Sequence, residues 1–296
     1  MPGNTVPACA ICAFLMAPAS VLAQTVSVDG AGLTIVDEGE GVPVIFVHGA
    51  ISDHRVWEPL RRMIAENRRF IAYDQRYFGT ADWPDEAEHF TIDTHADDLI
   101  AVIEALDAGP AHVVTWSYSG DVAARAAIKR PDLFRAMVHY EPAIPSLLDG
   151  LPGADQATQR MFAGFAPAMA AVQDGRAEDS ALRFIEAVFD LPEGAAASEA
   201  EPGPTIWREN GRTVAPYLKA PEGETVSCEA AGRIGAPTLI VQGGTTFTRF
   251  SMMAERLGQC QPNAVVATLA DVNHDGPHRK PLEFGAMIEG FLTAVE

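Results

Sequence analysis

Basic residues are scarce. The 296-residue chain carries 21 Lys and Arg against 40 Asp and Glu, a formal charge of -19. A surface that negative repels phosphate backbones and anionic lipid heads, which argues against nucleic-acid and membrane-surface roles. Cysteine is scarce as well: four residues, dispersed, with no pair at zinc-ligand spacing. No internal repeat is visible, and after residue 23 no apolar run is long enough to span a bilayer. What remains is a globular balance, 48% hydrophobic and 21% charged, which excludes disordered, collagen-like and coiled-coil classes.

Charge is also missing from the first 23 residues, where Ala8 to Ala23 is apolar and ends in Val21-Leu22-Ala23 before Gln24. The stretch is short for a spanning helix, and Val21 and Ala23 suit signal-peptidase cleavage after Ala23. Its leading segment lacks Lys and Arg, unlike most signals. The expectation is a signal peptide over 1–23 and export to a periplasmic or extracellular, oxidising compartment. Cys9 and Cys12 then leave with the signal. Cys228 and Cys260 remain as an even pair, either one disulfide or two buried thiols.

From residue 25 onward strands and helices alternate. Thr25 to Val28 and Leu33 to Val36 read as a hairpin turning at Asp29, Gly30 and Gly32. Strands follow at Val44 to Val47, Phe70 to Tyr73, His112 to Thr115, Ala136 to Tyr140, Leu239 to Val241 and Val265 to Leu269, most of them continuous apolar runs suited to a sheet covered on both faces. Between them lie helical faces. One is Val56, Leu60, Met63 and Ile64; a second, capped by Thr91, carries Leu99, Val102, Ile103 and Leu106; a third, of small residues, spans Gly120 to Lys129. Phe284, Met287, Ile288, Phe291 and Leu292 mark the last. The pattern predicts an α/β fold with a mostly parallel central sheet and helices on both faces. Residues 143–235 break it, being too long for a loop in a compact domain. Met161, Phe162, Phe165 and Met169 suggest one helix there, and Leu182, Ile185 and Phe189 another, so an inserted helical cap is expected between core segments 24–142 and 236–296.

Open parallel sheets bind ligands beyond the carboxyl ends of their strands. At those ends stand His48-Gly49-Ala50, Trp116-Ser117-Tyr118-Ser119-Gly120, Glu141-Pro142, Gln242-Gly243-Gly244-Thr245 and Asn273-His274-Asp275. A hydroxyl, a carboxylate and an imidazole therefore meet at one rim in the chain order Ser, acid, His. Ser117 lies at the strand-helix junction, whereas the competing Ser119 already belongs to the helix; the plainer role for either is an ordinary capping serine.

These features resemble the α/β-hydrolase superfamily over nearly all of residues 25 to 296. The turn around Ser117 is similar to the nucleophile elbow, although Thr115 and Ser119 replace the glycines of Gly-x-Ser-x-Gly. The resemblance implies Ser117 as nucleophile and His274 as base. The commonest acid position, after Thr238 to Val241, holds GGTT and no carboxylate. Glu141 sits where dehalogenase-like and some lactone-opening members keep their acid, and is expected to orient His274; a buried glutamate bonded to backbone is the alternative, and Asp271 and Asp275 are the competing acids. Backbone N–H groups of Ala50 and Tyr118 would form the oxyanion hole. His48 and Asp74-Gln75-Arg76 read as structural, His278 as a hydrogen-bond partner, and His54, His89, His95 and His112 as surface or core. Trp57, Tyr77, Phe78, Trp116, Met161 and Phe165 are pocket candidates, and equally core candidates.

A serine at the elbow implies a serine hydrolase of carboxylic-ester type, acting on a small, mainly apolar ester or lactone without metal or organic cofactor. A C–C bond hydrolase, an amidase or a perhydrolase on the same triad are alternatives, as is a ligand-binding protein without turnover. The expected partner is a small ester-like molecule, with no nucleic acid and, after signal removal, no membrane.

Overall fold

The structure, a computed structural model, describes residues 23–221 and 223–296. The expected signal segment, with Cys9 and Cys12, lies outside these residues save for Ala23. Among the described residues no helix is long and apolar enough to cross a membrane.

Eight strands form one sheet: β1 (Gln24–Val28), β2 (Ala31–Glu38), β3 (Pro43–Val47), β4 (Arg69–Tyr73), β5 (Ala111–Trp116), β6 (Phe134–Tyr140), β7 (Thr238–Gly243) and β8 (Ala264–Leu269). Their spatial order is β1-β2-β4-β3-β5-β6-β7-β8. The β1–β2 and β2–β4 pairs are antiparallel and all others parallel. The first hairpin turns at Asp29 and Gly30, both at positive φ; Gly32, expected in the turn, instead pairs with Ser27 inside the ladder.

Alternation along each strand sends side chains to opposite faces, and both faces are covered. Val44, Phe46, Phe70, Val114 and Val138 pack with α1 (Glu58–Ala65) and the C-terminal helix. Ile45, Val47, Ile71, Val113 and Met137 pack with α2 (Ile92–Ala105) and α3 (Tyr118–Lys129). The Thr91 hydroxyl caps α2 by accepting from Thr94 N at 3.0 Å. In α3, Val122, Ala123, Ala126 and Ala127 are buried, so its small-residue face lies close on the sheet.

Residues 143–235 carry α4 (Ala154–Gly164), α5 (Ala166–Gln173), α6 (Ala177–Phe189), α7 (Gly203–Glu209), α8 (Val214–Lys219) and α9 (Cys228–Ala231). The single helix expected across Met161 to Met169 is two helices. Pro167 sits in the first turn of α5, where its missing N–H is harmless, but it cannot continue α4. Phe162 and Met169, two of the four residues that suggested that single helix, are exposed. A helix not foreseen, α10 (Thr248–Cys260), joins β7 to β8, and α11 (Gly276–Arg279) and α12 (Pro281–Val295) close the chain. Cys228 and Cys260 form a disulfide, with Cα atoms 5.1 Å apart, tying the start of α9 to the end of α10.

Strands β3 and β5 are neighbours whose outgoing connections run to opposite sides of the sheet. That reversal opens a crevice at their carboxyl ends. Ala50 follows β3 there and Ser117 follows β5.

Candidate active site

One residue separates β5 from α3, and it is Ser117. Its backbone adopts φ 59° and ψ -117°, a conformation that L-residues rarely hold. The surroundings enforce it. Ser117 N donates to Tyr140 O, and Ser117 O accepts from Gly120 N and Ala143 N, all at 2.9 Å. The Ser119 hydroxyl accepts from Trp116 N at 3.0 Å and donates to Val47 O at 2.7 Å. Fully buried and fully bonded, Ser119 is a strut binding the turn to β3 and has no group free for chemistry. Gly120 lies so close to Pro142 that an added Cβ would stand 2.4 Å from the proline Cβ and 2.7 Å from its Cα. Thr115 ends inside β5, its Oγ1 2.6 Å from His139 Nδ1, so its β-branch packs in the sheet and leaves the turn uncrowded.

Glu141 follows β6 and also holds positive φ, 44°. It is completely buried, and both carboxylate oxygens are used. Oε1 accepts from Gly243 N and Oε2 from His274 Nδ1, each at 2.7 Å. Gly243 occupies the strand end that lacks a carboxylate. An added Cβ there would lie 2.5 Å from the Val272 and Asn273 carbonyls, so glycine lets the histidine loop approach. That loop is anchored by Trp116 Nε1 donating to His274 O at 2.9 Å and Tyr140 Oη donating to Asn273 O at 2.5 Å. Phe250 stacks on the imidazole at 3.8 Å between centroids. With the ring face and Nδ1 both held, Nε2 has no partner among the described residues.

Asp271 is exposed, 3.7 Å from Lys280 Nζ, and Asp275 pairs with Arg279. Neither approaches the His274 ring as Glu141 does. Of the three candidate acids, Glu141 is the one whose carboxylate meets the imidazole.

Ser117 and His274 line one cavity of about 630 Å³, within the range of small-molecule sites. Among the described residues the Ser117 hydroxyl makes no hydrogen bond, and the Ala50 and Tyr118 backbone N–H groups, which border the same space, have no acceptor. Of the residues read as pocket or core, Trp116, Met161 and Phe165 line the cavity. Trp57, Tyr77 and Phe78 do not. Trp57 packs in the core against Phe46 and Phe284, and Tyr77 and Phe78 pack against Phe90. Residues not foreseen at the wall include Phe184, Phe189, Trp207, Tyr217, Arg249 and Phe250. Phe250, Met253, Ala254 and Leu257 recur at helical spacing and would have revealed α10, on which the wall residues Arg249 and Phe250 lie.

Other titratable groups support the scaffold. His48 Nδ1 bonds Gly49 O and its Nε2 accepts from Gln75 N, with burial lowering its pKa. His95 is pushed down to about 3 by burial and bridges Tyr118 Oη and Arg76 O. Burial also lowers His278, which packs among Phe189 and Trp207. His54, read from the sequence as surface or core, meets Asp53 and Asp74 in a group of metal-binding composition. Its members are already matched: Asp53 receives Arg55 and Asn210, and His54 Nδ1 lies 2.5 Å from Asp74 Oδ1.

Comparison with known proteins gives the family and the fold. The family model of the alpha/beta hydrolase fold matches residues 42–277. Among curated proteins, the 2-(acetamidomethylene)succinate hydrolase of Mesorhizobium japonicum is 31% identical over 144 residues, 48% of this chain and 51% of that protein. The chain thus matches about half the length of this relative, and less of several others. Among solved structures, an esterase from Exiguobacterium antarcticum has a TM-score of 0.74 at 19% identity, covering 92% of this chain and 100% of that one. An N-acyl homoserine lactone degrading enzyme has a TM-score of 0.62 at 24% identity, covering 90% and 100%. At those identities the likeness is one of fold.

Proposed function

The chain belongs to the α/β-hydrolase fold family, and from that premise we propose that it is a serine hydrolase of small carboxylic esters or lactones. The observation that carries this proposal is the 2.7 Å contact between Glu141 Oε2 and His274 Nδ1, made beside a serine in strained backbone at the same cavity.

In this proposal His274 Nε2 takes the Ser117 proton as Oγ attacks the carbonyl carbon. Glu141 holds the proton on Nδ1, so Nε2 is the basic nitrogen, and it stabilises the imidazolium that forms. Negative charge grows on the carbonyl oxygen, and the unpaired N–H groups of Ala50 and Tyr118 are suited to receive it; losing one such donor costs about 10²- to 10³-fold in turnover. The tetrahedral intermediate collapses, His274 protonates the departing alkoxide, and an acyl group stays on Ser117. Water, deprotonated by His274, attacks the acyl carbon and releases the acid. In a lactone the departing alcohol remains tethered to the acyl group.

Residues 143–235 are read as a cap over the core formed by 24–142 and 236–296. Its contribution of Met161, Phe165, Phe184 and Trp207 to the cavity wall supports that division. A cavity of about 630 Å³, partly roofed by these residues, favours small substrates over polymers. Export is also proposed, supported by the uncharged N-terminal stretch and by the Cys228–Cys260 disulfide.

Turnover of 4-nitrophenyl acetate by wild type and Ser117→Ala tests the hydrolytic role. Loss of turnover in a variant with unchanged thermal unfolding is expected. A folded variant hydrolysing at the wild-type rate, or a wild type inert across a panel of esters and lactones, refutes it and leaves a binding protein.

A further inference from the structure

Among the described residues, Arg249 is a buried cation without a counter-ion. It is the second residue of α10, is 7% exposed, and lines the cavity that holds Ser117 and His274. Its polar contacts among the described residues are Thr158 Oγ1, 3.3 Å from Nε, and Met161 Sδ, 3.9 Å from Nη1. Both are neutral, both are long, and no described carboxylate lies within ion-pair reach. The other buried arginines are matched: Arg68 by Glu289 and Glu296, Arg76 by Asp98, and Arg125 by Asp93 and Asp121.

Burying an unmatched charge costs several kcal/mol, in a chain with 40 acidic residues from which a partner could be drawn. Burial pulls the Arg249 pKa below the ordinary arginine value, with the nearby Tyr217 hydroxyl opposing it, yet a guanidinium stays protonated in proteins. A planar fork of donors at a cavity wall matches a carboxylate in two parallel hydrogen bonds. Asp149, Asp155 and Glu224 also line the cavity, but they are exposed and screened by water. Among the described residues the one buried acid of the wall, Asp121, is already paired with Arg125.

We propose that Arg249 is the anion anchor of the cavity and that the substrate is a small ester or lactone bearing a carboxylate. This rests on the hydrolytic role of Ser117 proposed above and narrows its substrate class. Arg249 acts on binding and selection; the bond-breaking groups are unchanged.

The test compares charged and uncharged esters of similar length. Monomethyl succinate, glutarate and adipate carry the carboxylate on the acyl side, O-acetylglycolate on the alcohol side. Simple methyl and acetyl esters are the uncharged counterparts. For at least one charged ester, wild type is expected to show a kcat/KM about 10- to 100-fold above its counterpart, the worth of one charge-assisted hydrogen-bonded pair. That ratio collapses in Arg249→Met and is partly kept in Arg249→Lys, which retains charge but loses the fork. Isothermal titration of glutarate into folded Ser117→Ala adds a readout without turnover, with binding lost on adding Arg249→Met. A wild type that prefers none of the charged esters overturns the anchor, and needs no variant to fold. So does an Arg249→Met that lowers both ester classes equally, since Arg249 would then only pin α4 through Thr158 and Met161. If Ser117→Ala hydrolyses every ester at the wild-type rate, the catalytic premise itself fails. A Ser117→Ala that is inactive beside a wild type without charge preference sinks the anchor alone.

Discussion

Replacing Glu141 by Gln changes one atom type at a completely buried position, and its cost follows from two hydrogen bonds. Both Glu141 oxygens accept, from Gly243 N and from His274 Nδ1, at 2.7 Å each. A glutamine amide has one acceptor and one donor end. With its oxygen toward Gly243, the NH2 group faces His274, and Nδ1 must accept. The imidazole proton then sits on Nε2, where it blocks uptake of the Ser117 proton. With the oxygen toward His274, the NH2 group opposes the Gly243 N–H, and two donors meet without water at a cost of about 1–3 kcal/mol. Neither orientation supplies negative charge for the imidazolium. The expected fall in kcat is about 10³- to 10⁴-fold, the range for a triad held in the wrong tautomer, equivalent to roughly 4–5.5 kcal/mol of barrier. The assay is steady-state hydrolysis of a 4-nitrophenyl ester near neutral pH, with thermal unfolding as a control for structure. A folded Glu141→Gln enzyme with kcat within about threefold of wild type refutes the orienting role. Loss of turnover in Asp271→Asn would point the same way, because that carboxylate is exposed beside Lys280.

Gly120→Ala drives a Cβ into Pro142. It is expected to cost about 1–3 kcal/mol in urea unfolding and to lower turnover, because the turn holding Ser117 must shift; an unchanged midpoint contradicts this. Acidification should destabilise the protein. Burial holds His95 at about 3 and His139 at about 4, below the unfolded value of 6.5. Their contribution is whole above 6.5 and is lost as pH falls toward the folded values, by up to about 1.4 kcal/mol per pH unit for each histidine. Asp121, raised to about 6 by burial, acts in the opposite sense below that pH, and one carboxylate offsets only one of the two histidines. His48, His112 and His278, all lowered chiefly by burial, add to the loss, whereas His54, raised because the Asp74 carboxylate outweighs burial, opposes it. Urea unfolding at pH 7 and pH 5 checks the sign; greater stability at pH 5 contradicts it. Exported material is expected to begin at Gln24 by mass spectrometry, and an intact Met1 contradicts export with cleavage.

The strands were legible because burial on both faces leaves continuous apolar runs such as Val44 to Val47, and the rim residues followed by position alone. Ser117, Glu141 and His274 each stand immediately after, or in the loop after, a recognisable strand, which is why a one-dimensional pattern located them. Pocket lining was less legible, because it depends on which way a buried ring turns. Trp57 and Trp116 are both buried aromatics beside the sheet, but only Trp116 borders the cavity. The apolar spacing of α10, at Phe250, Met253, Ala254 and Leu257, was readable, but it begins only after the polar Thr248 and Arg249. A buried cation has no sequence signature, since its meaning lies in the absence of a partner across space. The break at Pro167 was visible in composition, but apolar spacing carried across it from Met161 to Met169 suggested one helix where two exist.

The most direct test is covalent. A fluorophosphonate transfers its phosphonyl group only to a nucleophile that a neighbouring base has made reactive. Treating the folded protein with such a probe, digesting it and mapping the adduct by mass spectrometry should give a single modified residue, Ser117, with labelling abolished in Ser117→Ala and slowed in Glu141→Gln. An adduct on Ser119 or elsewhere, or an unlabelled protein that still hydrolyses esters, would contradict the account.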